Sequence, residues 1–115
     1  MMLLIACSVS NHLSVYRLYF GMRIDSINEV SETEFKTFLD TAITRRFPDG
    51  LTIYSGKGQW KSGGRTLDEK SKIVEIAASP GKDLDKRISD VRENYKKIFH
   101  QESVMLVVQR AKVTF

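Results

Sequence analysis

The sequence predicts an α+β domain of ferredoxin-like type. It would be a βαββαβ chain with a four-stranded antiparallel sheet and two helices on one face. Three observations carry this. Two segments repeat apolar residues with the helical period. Four others are β-branched and aromatic runs bounded by turn residues, and the six alternate in the order strand, helix, strand, strand, helix, strand. Each helix has a single apolar stripe, so both should lie on the same side of the sheet.

The first strand is expected at Val15 to Phe20, ended by Gly21. Tyr16, Leu18 and Phe20 share one face, Val15, Arg17 and Tyr19 the other. After a loop over 21–30, Ser31 with Glu34 three residues on forms a capping box. Val30 and Phe35 stand at the staple positions. Phe35, Phe38, Leu39, Ala42 and Ile43 make the stripe of the first helix. Phe47 packs just beyond it, and Pro48-Asp49-Gly50 turns the chain.

Leu51 to Tyr54 reads as the second strand, with Gly56 and Gly58 permitting a bulge or bend. Ser62-Gly63-Gly64 is a turn, and the third strand runs from Glu69 to Ala78. The two strands form a long hairpin with an irregular tip. Pro80-Gly81 breaks it. The second helix spans Asp83 to Phe99, with Leu84, Ile88, Val91, Tyr95 and Ile98 as its stripe. The fourth strand starts at Val104 and extends toward Phe115.

The 115 residues fit one domain. With 42% hydrophobic and 28% charged residues the composition is that of a globular chain. The single Cys excludes an intrachain disulfide and a Cys-rich zinc site. Neither a metal centre nor a cofactor is expected. The net charge of +4 lies wholly in residues 61–115, with twelve basic and eight acidic side chains; residues 1–60 hold six of each. There the basic residues alternate with acids. Asp83 and Asp85 open the second helix and Lys96 and Lys97 close it, matching the helix dipole. The charge therefore gives no cationic face of the kind nucleic acid needs, and the RNA-binding signature K/R-G-F/Y-G/A-F-V-x-F/Y is missing. No nucleic-acid partner is expected.

Residues 1–14 are read as a remnant signal and linker ahead of a domain over 15–115. Leu4-Ile5-Ala6-Cys7 has the form of a bacterial lipobox, in which Cys7 receives lipid. Only six residues precede it and none is basic, whereas a signal carries a basic start and ~7–15 apolar residues. Either the true start lies upstream or the signal has decayed. Any membrane link runs through that lipid, giving an envelope location if the lipobox works and a cytoplasmic one otherwise. His12 is read as a solvated linker residue.

No nucleophile, base and acid stand at recognisable spacing. Gly56-Lys57-Gly58 lacks the phosphate-loop pattern, Cys7 has no positioned His partner, and His100 reads as a helix-end cation. One group of candidate ligand-binding residues remains: Arg46, Gln59, Trp60 and Glu69, beside turns and strand ends. Trp60, the only Trp, either stacks on a ligand or caps the core edge. Arg46 either forks onto an anion or pairs with Asp49 or Glu69. Glu69 is a general base if buried and an ion-pair partner otherwise. Arg17 and Tyr19, with Tyr54, mark the sheet face away from the helices as a second candidate, where a homodimer contact or a ligand fits.

Five segments together resemble the uncharacterised bacterial domain-of-unknown-function family 3574. They are Leu18-Tyr19-Phe20-Gly21, Arg46-Phe47-Pro48-Asp49-Gly50-Leu51-Thr52, Gly58-Gln59-Trp60, Glu69-Lys70-Ser71-Lys72 and Phe99-His100-Gln101-Glu102-Ser103-Val104. Arg45 stands where the family pattern has Pro, and Lys70 where it favours Arg. The resemblance covers about 15–115 and implies a small exported or lipoprotein-type protein. It carries no activity with it. The function expected from the sequence is an envelope-associated binding or interaction module without catalysis. The alternative is a small enzyme of the dimeric α+β barrel kind, acting on a small organic substrate over the open sheet face.

Overall fold

Hydrophobic alternation and helical periodicity resolve into the expected order. The computed structural model describes residues 10–115, so Cys7 and its lipobox lie outside the described residues. The elements are β1 (Ser10–Gly21), α1 (Glu32–Phe38), β2 (Thr52–Ser62), β3 (Arg65–Ala78), α2 (Lys82–Ile98) and β4 (Met105–Thr114). The sheet order is β2-β3-β1-β4 with antiparallel neighbours throughout, the arrangement of a ferredoxin-like α+β fold.

The capping box at Ser31 is complete. Ser31 Oγ accepts from Glu34 N at 3.0 Å, and Glu34 Oε1 accepts from Ser31 N at 2.9 Å. Val30 and Phe35 are both buried at the staple positions. Beyond α1 the helix widens into a π turn over Leu39–Ile43, with Thr44 N–H reaching back to Leu39 O. It then tightens into a 3-10 turn over Thr44–Arg46. The apolar stripe continues through the widening, which is why the spacing alone did not reveal it.

Tyr16, Leu18 and Phe20 of β1 point into the core with Val74 and Ile76 of β3, as the alternation required. Phe20, Phe35, Phe38, Tyr95 and Phe99 pack ring edge to ring face at its centre, with Phe20 and Tyr95 centroids 4.8 Å apart. The stripe of α2 is Leu84, Ile88, Val91 and Tyr95. Its last member is Phe99 rather than Ile98, which is 57% exposed. The four-residue step from Tyr95 keeps the side chain on the core side, whereas the three-residue step falls about 60° short of a full turn.

Three further expectations are corrected. Residues 10–14 are not linker: they form the first part of β1, paired with residues 110–114 of β4. Exposed His12 sits in that strand opposite Lys112. The glycines at 56 and 58 cause no break, since β2 pairs with β3 without interruption from Thr52↔Glu75 to Ser62↔Arg65. The third strand therefore begins at Arg65 rather than Glu69. The tip is a regular two-residue turn in which Gly63 and Gly64 take φ of 57° and 77°, the left-handed pair that such a hairpin needs.

The hairpin outruns its neighbour. The last β1 partner of β3 is Ser71, opposite Gly21. From Gly58↔Glu69 outward, β2 and β3 form a two-stranded ribbon that projects past the sheet.

Candidate functional site

Among the described residues, nothing covers the sheet face away from the helices. Strand register places residues in rows across it. Tyr54, Ile73, Tyr19 and Met105 form one row, and Gly56, Ser71 and Gly21 the next. Gly58 and Glu69 follow, then Trp60 and Leu67 on the ribbon. Gly21 and Gly58 leave gaps around Ser71 and Glu69 in the floor, and this end of the face is hollow. A cavity of about 700 Å³ is bordered there by Tyr19, Gly21, Glu69 and Trp60, and by the segment from His100 to Ser103.

Glu69 is fixed in this floor. Its Oε2 accepts from the backbone N–H of Arg23 at 3.0 Å, while Oε1 takes no hydrogen bond among the described residues. A side chain at position 21 would exclude it, since a Cβ built on Gly21 meets Glu69 Oε2 at 2.7 Å. Arg23 is itself held. Its guanidinium donates to Asp68 O at 2.7 Å, and its carbonyl accepts from Gln101 Nε2 at 2.8 Å. The loop behind it is closed by Asp25, whose carboxylate accepts from the side chain and backbone of Asn28 and from Ile27 N; these bonds hold its carboxyl below the usual range.

Beneath the floor, the Tyr95 phenol donates to Gly21 O at 2.6 Å. Burial, and then the negative charges of Glu69 and Glu34, push its ionisation well above the usual value.

His100 enters the cavity wall through helix termination. It has φ of 54°, and Gln101 N–H closes back onto Lys96 O at 3.0 Å. That is the left-handed stop after a helix, a position glycine usually takes. The segment that begins at His100 forms the cavity wall opposite the ribbon.

The candidates from the sequence separate into two sets. Tyr19, Trp60 and Glu69 meet in the cavity. Trp60 does not cap the core: it is 42% exposed on the ribbon, opposite Leu67. Glu69 makes no ion pair; its partner is a backbone N–H. Gln59 borders the cavity, but strand alternation turns it to the opposite face, where its amide donates to Asp68 Oδ1 at 2.9 Å. Arg17 lies on the open face outside the cavity wall, bound to Glu75 at 2.9 Å and Gln109 at 3.0 Å; the hydrogen bond to Glu75 raises its pKa. The Tyr54 hydroxyl joins the same carboxylate at 3.2 Å; burial, then the Glu75 charge, raises its pKa. Arg46 is elsewhere. It donates to Ala42 O at 2.7 Å, finishing its own helix, and pairs with neither Asp49 nor Glu69.

Gly21, Arg23, Ser71, His100, Gln101 and Met105 were not picked out as site residues. For Gly21, Ser71, His100 and Gln101 the signal lay in the family-like segments, four of which, those around Gly21, Trp60, Glu69 and His100, converge on this cavity; Arg23 and Met105 lie outside those segments.

Solved structures of similar fold include a phage SAM lyase in complex with S-methyl-5′-thioadenosine, at 19% identity and a TM-score of 0.60 over 90% of both chains. The phage SAM lyase in its apo state matches at 15% identity and a TM-score of 0.63, also over 90% of both. The periplasmic divalent cation tolerance protein CutA from Archaeoglobus fulgidus matches at 10% identity and a TM-score of 0.50, covering 86% of this chain and 82% of that one. At these identities the likeness is one of fold. No curated protein matches the sequence.

The expectation of a module without catalysis is overturned by the lyase. That lyase is an enzyme built on a domain of this size and topology, matched nearly end to end, so the lack of a recognisable catalytic set is no argument against catalysis on this fold. The family model described as "Protein of unknown function (DUF3574)" matches residues 15–115, and the chain belongs to that family.

Proposed function

We propose that this protein is a small enzyme acting on a small organic substrate at the end of its open sheet face, between Tyr19, Trp60, Glu69 and the His100 segment. The observation that carries it is Glu69. One oxygen is pinned by a backbone N–H and the other is left for the cavity, at a position that a side chain on Gly21 would displace. A carboxylate so held accepts a proton, or steadies charge, at a fixed point. Trp60 and Tyr19 supply flat apolar walls for a ring or an alkyl chain. The convergence of four quoted segments here, and the lyase character of the fold neighbours, support the same reading.

The neighbours suggest S-adenosyl-type compounds as first substrates. S-adenosylmethionine, S-adenosylhomocysteine and S-methyl-5′-thioadenosine are to be incubated with the protein and the products separated by chromatography. Turnover of at least one is expected, slowed by roughly 100-fold or more in Glu69→Gln. Absence of turnover with all three by the folded wild-type chain overturns the reading, as does full activity in Glu69→Gln.

A further inference from the structure

The charge of the cavity differs from that of the chain. The protein carries +4 overall, yet the charged groups at this wall are Glu69 and Glu102 against Arg23. The Arg23 guanidinium keeps its positive charge while donating to Asp68 O, so the wall is left with one negative charge in excess, and Glu69 itself receives only the Arg23 backbone N–H. An anion seated on the floor would meet Glu69 Oε1 directly. A neutral group without a hydrogen-bond donor would strip water from that oxygen and give back neither a hydrogen bond nor a charge, which costs free energy. A hydrated divalent metal wants about six oxygen ligands, whereas Trp60, Tyr19 and Met105 offer rings and a thioether. A cation without strong hydration, presenting alkyl groups, suits both the carboxylate and the ring faces.

We infer that this cavity receives the positive centre of an organic onium, a sulfonium or quaternary ammonium group seated between Glu69 and the rings of Trp60 and Tyr19. The inference deepens the proposed function by naming the charge class of its substrate, and it rests on the same site. Glu69 attracts the charge, and the glycine floor lets the group approach closely. Trp60, on the ribbon, closes over it from one side. The sulfonium and ammonium forms share this chemistry and differ in geometry about the charged atom.

The test is equilibrium binding without turnover. Trimethylsulfonium and choline are compared with 3,3-dimethylbutan-1-ol, the neutral carbon analogue of choline. Fluorescence of Trp60, the single Trp, reports binding. Both onium ions are expected to bind about tenfold or more tightly than the neutral alcohol. Glu69→Gln should lower onium affinity about tenfold and erase the preference. The stronger of the two identifies sulfonium or ammonium as the natural group. Equal binding of the alcohol, no onium binding at all, binding of magnesium in their place, or unchanged affinity in Glu69→Gln overturns the inference. The wild-type comparison of ligands stands even if that variant misfolds. Onium binding without turnover of any substrate would refute the enzyme and keep the onium site; turnover of neutral compounds alone would do the reverse.

Discussion

Gly21→Ala isolates the position of one carboxylate. The backbone of Gly21 tolerates an ordinary residue, because its φ lies outside the left-handed region. The added methyl meets Glu69 Oε2 at 2.7 Å, against an ordinary contact of 3.4 Å or more, so the carboxylate must retreat by about 0.7 Å. It is the far end of a flexible side chain and moves without disturbing the core. The bond from Arg23 N is lost or lengthened, a cost of ~0.5–1.5 kcal/mol. Removing a glycine from the unfolded ensemble returns ~0.4–1 kcal/mol. Stability should therefore change by less than ~1 kcal/mol, a Tm shift of a few degrees. Function should respond far more, since a 1 Å displacement of a reacting group costs up to ~100-fold. Thermal melts by circular dichroism, onium binding through Trp60 fluorescence, and turnover are to be measured on the same preparation. A folded Gly21→Ala protein with wild-type binding and turnover would refute the idea that Glu69 acts from a fixed point.

Other perturbations have calculable outcomes. Ser31→Ala removes half of the capping box and should destabilise the protein by ~1 kcal/mol in urea unfolding, with cavity binding unchanged. His100→Gly relieves a left-handed residue and should raise stability by ~1 kcal/mol while weakening the cavity wall; a lower Tm would show that the imidazole has a structural partner. Tyr95→Phe leaves Gly21 O without its buried donor and should cost ~1–3 kcal/mol. Because Tyr95 titrates higher folded than unfolded, its contribution is present below pH ~10 and lost as pH rises beyond that, where only the unfolded phenol ionises. The stability difference between wild type and Tyr95→Phe should therefore shrink in alkali, and a constant difference up to pH 12 would contradict the assignment.

The parts of the fold legible in the sequence were those governed by local period and capping. The stripe of α1, the Ser31–Glu34 box and the alternation of β1 each follow from a few adjacent residues. The long hairpin was legible, but its uninterrupted pairing was not, because glycines at 56 and 58 signal a bulge or bend when nothing shows which partner they face. Here Gly58 borders the cavity, and a side chain at Gly56 would crowd Ile73 and Ser71. Glu69 was visible as a titratable residue, but its partner, the backbone of Arg23, carries no sequence signature. His100 escaped because a left-handed helix stop is normally announced by glycine. Arg46 shows the opposite failure: a free-looking guanidinium was taken up by the carbonyl one turn back.

The ribbon gives the cavity two walls of unequal stiffness. Its base is tied to the body through Arg23, and its outer part, where Trp60 sits, has no third strand to lean on among the described residues. An unsupported two-stranded ribbon in water is marginal, so its amides should exchange with solvent by local opening while those of β1 wait for global unfolding. Guest entry and exit are then governed by the bending of one hairpin, at a rate independent of the stability of the hydrophobic core.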